Sequence, residues 1–206
     1  MSKAESTMLP LGTFLPSFVL PVVNGTKKID QSQNLTYRKL SSEIFKKKPL
    51  LIMLICAHCP FVKHVENEIT NLQNDYENII DLLAVSSNSL KTHPQDAPIY
   101  LEKQAKENGW RFPYLFDSDQ ELAKALQASC TPDFFLFSPS DQADLRLAYR
   151  GQLDNSRPSN KIPVNGNDLR AAINAVVQLK DIPMEQKPSI GCNIKWHPGQ
   201  EPYWFI

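Results

Sequence analysis

The chain has 206 residues, of which 42% are apolar and 21% are charged, and its formal net charge is zero. This length has room for one sizeable core with decorations, or for one domain and a substantial tail. The balanced charge implies no basic face, so the composition argues against nucleic acid and acidic membrane surfaces as partners.

Composition divides the chain into three segments. We expect a flexible lead-in over residues 1–13, a folded domain over 14–180, and a proline- and aromatic-rich tail over 181–206 that packs on the domain. The N-terminus lacks a basic stretch followed by an apolar one, so no secretory signal is predicted. The longest apolar run, Leu50–Ala57, is too short to cross a bilayer. These features predict a cytoplasmic protein.

The region before residue 50 predicts a β-hairpin and a weak helix. Phe18–Val23 has the composition of a short strand, and Asn24-Gly25 is a strong turn signal. Lys27–Asp30 then returns as the second strand of the hairpin. Tyr37–Phe45 carries apolar residues at helical spacing, which predicts a weakly amphipathic helix.

A buried strand followed by a helix is the clearest pattern in the chain. Leu50–Ile55 is too uniformly apolar to be half-exposed, so we predict a central strand that is covered on both faces. Apolar residues recur at helical spacing from Phe61 to Tyr76, and Pro60 suits the first turn of that helix. Ile79–Ser87 is the next strand, which completes a parallel βαβ unit.

The second half of the chain mixes helices and strands. A helix is predicted from about Ala97 until Gly109, and Ser118-Asp-Gln-Glu121 matches a capping box that begins a further helix. The remaining predicted elements are an extended piece at Phe112–Phe116, strands at Asp133–Phe137 and Leu145–Gly151, which pair antiparallel, and a helix at Asp168–Lys180.

Cys56 and Cys59 form a C-x-x-C motif where the buried strand meets the helix. In a reducing compartment, closely spaced cysteines are more often catalytic or metal-binding than structural. A C-x-x-C at the end of the first strand of a βαβ unit is the arrangement of the thioredoxin-like fold, and Thr131-Pro132 before a later strand fits the second half of that fold. We therefore predict an α/β thioredoxin-like (redoxin) fold, with a central mixed sheet flanked by helices, an N-terminal hairpin and an extended C-terminal tail.

Several stretches carry a resemblance to a known family. The chain resembles the AhpC/TSA redoxin branch of the thioredoxin-like superfamily, and more narrowly the bacterial thioredoxin-fold proteins called peroxiredoxin-like. The stretches are Cys56–His64, Phe112–Asp117, Cys130–Phe137, Tyr149–Asp154 with Ser156–Pro158, and Pro188–Trp196. The resemblance runs from about residue 14 to the C-terminus. It implies a cis peptide bond before Pro132 that faces the cysteine pair.

The position of the motif predicts a division of labour between its thiols. Cys56 would lie at the N-terminal end of a helix, where free N–H groups and the helix dipole stabilise an anion, and His58 adds a neighbour with positive character. Both effects predict a Cys56 pKa below the free-cysteine value of about 8.5. Cys56 is thus the predicted nucleophile and Cys59 the resolving thiol, with Thr131 and Pro132 completing the catalytic residues.

The sequence departs from both thioredoxin and standard peroxiredoxins. The strand before the motif contains no acid of the kind that helps to deprotonate the second cysteine of thioredoxin, and Lys63 is either a substitute or a solvated lysine. The peroxiredoxin signature P-x-x-x-T-x-x-C is also missing, because Met53 stands where the threonine would precede Cys56. A thiol–disulfide oxidoreductase is therefore the first hypothesis and an antioxidant peroxidase the alternative.

Two further cysteines leave open questions. Cys130, beside the proline loop, is either an auxiliary thiol or a small buried apolar residue. Cys192, in the tail, either folds over the site as a third redox partner or packs in the interior. A metal carrier is the second alternative, with ligands from Cys56, Cys59, His64 and either Cys192 or His58 (C-x-x-C with a nearby histidine binds zinc or copper).

The oxidoreductase hypothesis also defines the expected partners. It requires no cofactor and no metal. The partners are protein or small-molecule thiols and disulfides, with a thioredoxin or glutathione system as the candidate electron donor. The protein is expected to be a monomer or a homodimer.

Overall fold

The computed structural model describes residues 3–25, 27–29, 35–142 and 144–205. The strands are β1 Lys3–Glu5, β2 Val19–Pro21, β3 Lys27–Ile29, β4 Leu35–Tyr37, β5 Lys39–Ser41, β6 Leu50–Leu54, β7 Asp81–Ser86, β8 Tyr114–Phe116, β9 Cys130–Thr131, β10 Asp133–Pro139, β11 Leu145–Gly151 and β12 Ile190–Asn193. The α-helices are α1 Pro60–Tyr76, α2 Pro98–Glu107, α3 Glu121–Ala125 and α4 Asn167–Val177, and 3₁₀ turns lie at Ser42–Ile44 and Pro94–Asp96.

A five-stranded mixed sheet forms the centre of the fold, in the order β11-β10-β6-β7-β8. Strands β6, β7 and β8 are parallel, whereas β10 pairs antiparallel with both β6 and β11. This arrangement confirms the predicted α/β thioredoxin-like class and the parallel βαβ unit. It also confirms the antiparallel return of Leu145–Gly151.

Strand β6 is buried over its whole length, as predicted for a central strand. Because side chains alternate across a strand, Leu51 and Met53 enter one apolar cluster while Leu50, Ile52 and Leu54 enter the other. Burial of each such side chain contributes about 1.5–3 kcal/mol, so both sheet faces stabilise the strand that leads to the cysteine pair.

Different elements cover the two faces of the sheet. Helices α1, α2 and α4 place their apolar side chains in the cluster that contains Met53. Helix α3 covers the opposite face together with parts of the N-terminal segment and the tail, including Leu9, Phe18 and Trp196. None of the helices in the described part of the chain combines the length and apolar character that crossing a bilayer requires.

The N-terminal region departs from the predicted pairing. Val19–Pro21 pairs with Lys39–Ser41, and Lys27–Ile29 pairs with Leu35–Tyr37. An N-terminal hairpin therefore exists, but the predicted pairing of Phe18–Val23 with Lys27–Asp30 is wrong, and Asp30 lies outside the described residues. The short apolar pattern of this region fits strands as well as a helix, and the cross-strand partners decided between them.

The helix predicted over Tyr37–Phe45 is also wrong. Its residues form the ends of two short strands and a single 3₁₀ turn at Ser42–Ile44. The side-chain hydroxyl of Ser41 accepts a hydrogen bond from the N–H of Glu43 at the start of that turn. The sequence contains too few helical repeats here to offset the cost of starting a helix.

Two other local predictions are corrected. Lys3–Glu5, placed in the flexible lead-in by composition, forms a strand that pairs with Ile190–Cys192 of the tail. Helix α3 does not begin with the predicted capping box at Ser118–Glu121. Instead the Asp117 carboxylate accepts hydrogen bonds from the N–H groups of Leu122 and Ala123.

Candidate active site

The two motif cysteines lie where strand β6 gives way to helix α1. Cys56 follows the strand end by two residues, and Cys59 is the N-cap residue of α1, with Pro60 in the first turn. Both cysteines are free thiols and both are fully buried. The positions agree with the sequence prediction, whereas the complete burial is a property of the tertiary structure.

The loop at Thr131-Pro132 faces both thiols. The peptide bond between these residues is cis, as the family resemblance implied. The Thr131 hydroxyl lies 3.5 Å from Cys56 Sγ, and the Thr131 carbonyl oxygen lies 3.3 Å from Cys59 Sγ, whose thiol can donate to it. One residue therefore contacts both members of the pair.

Asp96 anchors the other side of the motif. Its buried carboxylate accepts hydrogen bonds from the N–H groups of Ala57 (2.9 Å) and His58 (3.2 Å) and from the side-chain amide of Asn88 (2.8 Å). It also lies 2.5 Å from Nδ1 of His58. Sequence reasoning missed Asp96, because an aspartate in a loop some 40 residues from the motif carries no local signal of this contact.

The imidazole of His58 is therefore shared between a thiol and a carboxylate. Its Nδ1 lies 3.9 Å from Cys56 Sγ, and its ring centroid is 5.1 Å from that of His93. Within the described part of the chain, Nε2 of His58 is buried and has no hydrogen-bond partner. The negative charge of Asp96 thus acts on Cys56 in the direction opposite to the one predicted from His58.

The predicted low pKa of Cys56 is not supported. Burial raises the pKa of Cys56 well above its usual value, and the hydrogen bond to Cys59 and the negative charge of Asp96 raise it further. The Thr131 hydroxyl acts in the opposite direction, with the smallest effect. The prediction considered the helix end and the histidine, but not the desolvation that the surrounding segments impose.

Cys59 has two thiol neighbours. Hydrogen bonds from Cys192 and Cys56 hold the pKa of Cys59 well below its usual range, although burial opposes them. The structure therefore brings Cys192 of strand β12 to the motif, one of the two arrangements left open by the sequence. In the reduced pair the negative charge is most stable on Cys59, since two donors point at its sulfur.

Cys130 behaves differently from Cys192. Its thiol contacts the carbonyl oxygens of Pro132 and Ser189, each at 3.8 Å. Burial is the largest of the effects that raise the pKa of Cys130 well above its usual value. Because neighbouring side chains of a strand alternate in direction, Cys130 and Thr131 cannot both point at the cysteine pair. These contacts favour a packing role for Cys130.

A buried acid is present, although not in strand β6. Asp133 pairs with Leu54 across the sheet and accepts a hydrogen bond from the Ser6 hydroxyl at 2.6 Å. Complete burial raises the pKa of Asp133 to about 7. Lys63, considered as a substitute for such an acid, instead forms an ion pair with Glu66 at 2.8 Å, with its side chain 46% exposed.

The metal ligand set predicted from the sequence is not the set that the structure brings together. Candidate ligand atoms of Cys56, His58 and Asp96 lie within 4.8 Å of one another. Nε2 of His64 lies 2.7 Å from the Ser156 hydroxyl instead. The Asp96 oxygens already accept several hydrogen bonds, so a metal there would have to displace existing partners.

Solved structures of bacterial proteins match nearly the whole chain. An uncharacterised conserved protein from Geobacillus kaustophilus is 45% identical, with 97% of this chain and 98% of that chain covered and a TM-score of 0.85. A hypothetical protein from Sinorhizobium meliloti is 38% identical over 95% of this chain and 99% of that chain, with a TM-score of 0.82.

A more distant structure shares the fold alone. The secreted disulfide oxidoreductase of Mycobacterium tuberculosis is 11% identical, with 77% of this chain and 95% of that chain covered and a TM-score of 0.53. A search of curated proteins gave no significant match.

A family model covers the part of the chain that contains the cysteine pair and the cis-proline loop. The model of the AhpC/TSA family matches residues 11–143, which is more than half of the chain and includes the motif and the cis-proline loop. The chain belongs to the AhpC/TSA family, within the thioredoxin-like fold.

Proposed function

We propose that the protein is a thiol–disulfide oxidoreductase in which Cys56 and Cys59 alternate between dithiol and disulfide. The observation that carries the proposal is the position of two free thiols at the start of α1, both in contact with Thr131. The C-x-x-C spacing is that of redox-active cysteine pairs, which cycle between dithiol and disulfide. Membership of a redoxin family and the fold shared with a disulfide oxidoreductase support the proposal.

The proposed reaction proceeds in two exchanges. The Cys56 thiolate attacks one sulfur of a substrate disulfide, forming a mixed disulfide and releasing the other substrate sulfur as a thiolate. Cys59 then attacks Cys56 Sγ, which forms the Cys56–Cys59 disulfide and releases the second substrate thiolate. The substrate is reduced and the pair is oxidised, and an external dithiol or glutathione returns the pair to its reduced state.

This order of attack requires the negative charge, which is more stable on Cys59, to move to Cys56. Cys59 lies between two thiols, so its nearest reaction partners are Cys56 and Cys192. Transfer of the Cys56 proton to a thiolate on Cys59 would leave Cys56 as the attacking thiolate. Since Cys56 is fully buried, substrate access requires the segment that carries Asp96 to open.

The cavity beside the cis-proline loop bears on the substrate class. It has a volume of about 20 Å³ and is lined by residues that include Phe61, His64, Pro132 and Arg157. This volume accommodates about one water molecule. Neither motif cysteine lines this cavity, so it is not an enclosed site for a small-molecule disulfide at the sulfurs, and we expect a substrate that docks on the surface, such as a protein disulfide.

A peroxidase is the second candidate, and the Thr131 hydroxyl 3.5 Å from Cys56 Sγ favours it. A hydroxyl at this position can orient a peroxide in place of the missing signature threonine. The Cys56 thiolate would attack one peroxide oxygen, giving a sulfenic acid and releasing the other oxygen as an alcohol or water. Attack by Cys59 would then form the disulfide and release water.

Trapping tests the proposed function. In the Cys59→Ser variant we expect a mixed disulfide with a protein substrate such as insulin to accumulate on Cys56, because the second exchange cannot occur. Cys56→Ser should lose disulfide reductase activity, whereas Cys130→Ala, a variant of an equally buried cysteine, should retain it. Accumulation of the adduct on Cys59 in Cys56→Ser would contradict the proposed order. Peroxide consumption by the wild type without disulfide reduction would favour the second candidate.

A further inference from the structure

The tail strand β12 (Ile190–Asn193) approaches the active site through the cis-proline loop. It pairs antiparallel with β9, so that Cys192 lies opposite Thr131. Thr131 is the residue that contacts both motif cysteines. Cys192 is buried in the same apolar cluster as Cys56 and Cys59. The pairing register of β12 with β9 thus places a third thiol next to the loop that contacts Cys56 and Cys59.

A glycine permits this close approach. A Cβ atom on Gly191 would lie 2.1 Å from the carbonyl oxygen of Thr131 and 3.2 Å from the nitrogen of Pro132. Only a residue without a side chain lets the tail strand pass at this distance from the loop. On its other edge the tail strand pairs with Lys3–Glu5, which fixes it between two strands.

The three sulfurs have a definite order. Cys192 and Cys56 both lower the pKa of Cys59, whereas Cys192 is not among the groups that shift the pKa of Cys56, so Cys59 is the central member of the group. The interactions of Cys192 involve Cys59, the charge of Lys195 and the N–H of Phe61 at the start of α1. A thiol–disulfide exchange requires an attacking sulfur beside a disulfide sulfur, and Cys192 occupies that place for a bond between Cys56 and Cys59.

We propose that Cys192 is a third redox thiol, which takes the disulfide over from Cys56. Cys192, as a thiolate, attacks Cys59 Sγ of the Cys56–Cys59 disulfide, and the bond between Cys56 and Cys59 breaks. A Cys59–Cys192 disulfide forms, and the electron pair leaves on Cys56 Sγ, which takes up the proton that Cys192 lost. The exchange consumes no external oxidant or reductant.

This inference rests on the proposed function, because the Cys56–Cys59 disulfide is its starting point, and it extends the cycle. The new disulfide joins the start of α1 to the tail strand and returns Cys56 to the thiol state. The oxidising equivalent is then held between two buried residues. An external thiol reaches it only after Cys56 has attacked Cys59 in reverse, or after the tail strand has moved.

Peptide mapping distinguishes the two disulfides without any mutation. Trypsin leaves Cys56 and Cys59 together on one peptide and Cys192 on another. A Cys56–Cys59 disulfide is therefore an internal bond, whereas a Cys59–Cys192 disulfide links two peptides. After oxidation of the folded wild-type protein with oxidised glutathione and rapid alkylation, we expect the internal bond first and the linked peptides afterwards.

The Cys56→Ala variant isolates the second disulfide. We expect it to lose two alkylatable thiols in the same buffer and to yield the linked peptides, and Cys56→Ala/Cys192→Ala should yield none. Retention of all its thiols by Cys56→Ala with native circular dichroism, glutathione adducts alone, or linkage to Cys130 would each overturn the proposal. If Cys56→Ala does not fold, the wild-type map decides, since the absence of linked peptides in fully oxidised protein also overturns it. Failure of the wild type to form the internal bond would instead count against the proposed function.

Discussion

The two cysteines of the motif are three residues apart and lie in different surroundings. Cys56 faces a polar side, where Thr131, His58 and Asp96 lie around its sulfur. Cys59 faces a thiol side, where Cys192 of the tail strand and the Thr131 carbonyl approach it. Segments remote in sequence form both sides. The pKa of Cys56 is therefore raised and that of Cys59 is lowered, although both cysteines lie at the same helix terminus.

This contrast shows what a helix N-terminus contributes by itself. The dipole and the free N–H groups favour an anion within the first turn, but they do not select the sulfur that carries it. Desolvation and the charge of Asp96 disfavour a thiolate on Cys56, while two thiol donors favour one on Cys59. A substitution on the polar side or on the thiol side should therefore change the difference in pKa between Cys56 and Cys59.

The largest expected effect comes from breaking the thiol side at Gly191. In Gly191→Ala the new Cβ would overlap the Thr131 carbonyl, so the tail strand must move away from the cis-proline loop. We expect a loss of about 4 kcal/mol or more in the free energy of unfolding, measured by urea denaturation. The matched control is Gly25→Ala, whose new Cβ would meet the side chain of Val22 at 3.1 Å and no backbone atom closer than 3.7 Å. Equal destabilisation by both variants would contradict the proposed fit of the tail.

A smaller effect on the free energy of unfolding is expected from Asp133, the buried acid at the start of strand β10. Burial raises the pKa of Asp133 to about 7 in the folded protein, from about 3.9 in an unfolded chain. Between these values the unfolded chain has lost the proton while the folded protein retains it. Asp133 therefore makes the free energy of unfolding fall as the pH rises from about 4 to about 7, by roughly 4 kcal/mol at most.

The Asp133→Asn variant tests this pH dependence. Its side chain is neutral at every pH, so the decline that Asp133 contributes should disappear from the denaturation series. The exposed Asp119 forms a hydrogen bond with the neighbouring Ser118, and Asp119→Asn is the matched control that should retain the wild-type slope. Parallel pH profiles for the wild type and Asp133→Asn would rule out the raised pKa.

The smallest effect is expected from a substitution on the polar side, at Asp96. Asp96→Asn removes a negative charge that raises the pKa of Cys56, while its amide oxygen can still accept hydrogen bonds from the motif N–H groups. We expect the pKa of Cys56 to fall and its alkylation by iodoacetamide at pH 7 to accelerate by roughly 3- to 10-fold. The rate is measured in a Cys59→Ser background, where Cys56 is the only reactive thiol of the motif peptide.

The pH profile of that alkylation distinguishes charge from packing. A lower midpoint with Asp96→Asn indicates the electrostatic role, and a faster rate at an unchanged midpoint indicates that the covering segment has opened. A higher midpoint would contradict the prediction.

Strong local patterns predicted the elements that hold the motif. The uniform apolar run of β6 and the helical spacing of α1 predicted the strand–helix join, and the structure confirms it. A strand buried on both faces and a helix buried on one face each produce a distinct apolar pattern in the sequence. The short elements before residue 50 carry weak patterns, so the paired strands there were misassigned in part. Their partners are defined by contacts across the chain, which local spacing does not encode.

The candidate site was likewise predictable from the sequence only in part. The sequence by itself determined that two thiols meet at a helix start, since strand and helix signals are local, whereas the family resemblance implied that the Thr131-Pro132 loop faces them. Only the tertiary structure decided that Asp96 joins His58, that Asp133 is the buried acid, and that Cys192 rather than Cys130 reaches the pair. Burial and hydrogen bonding set the charge on each sulfur, and both depend on which distant segments pack together.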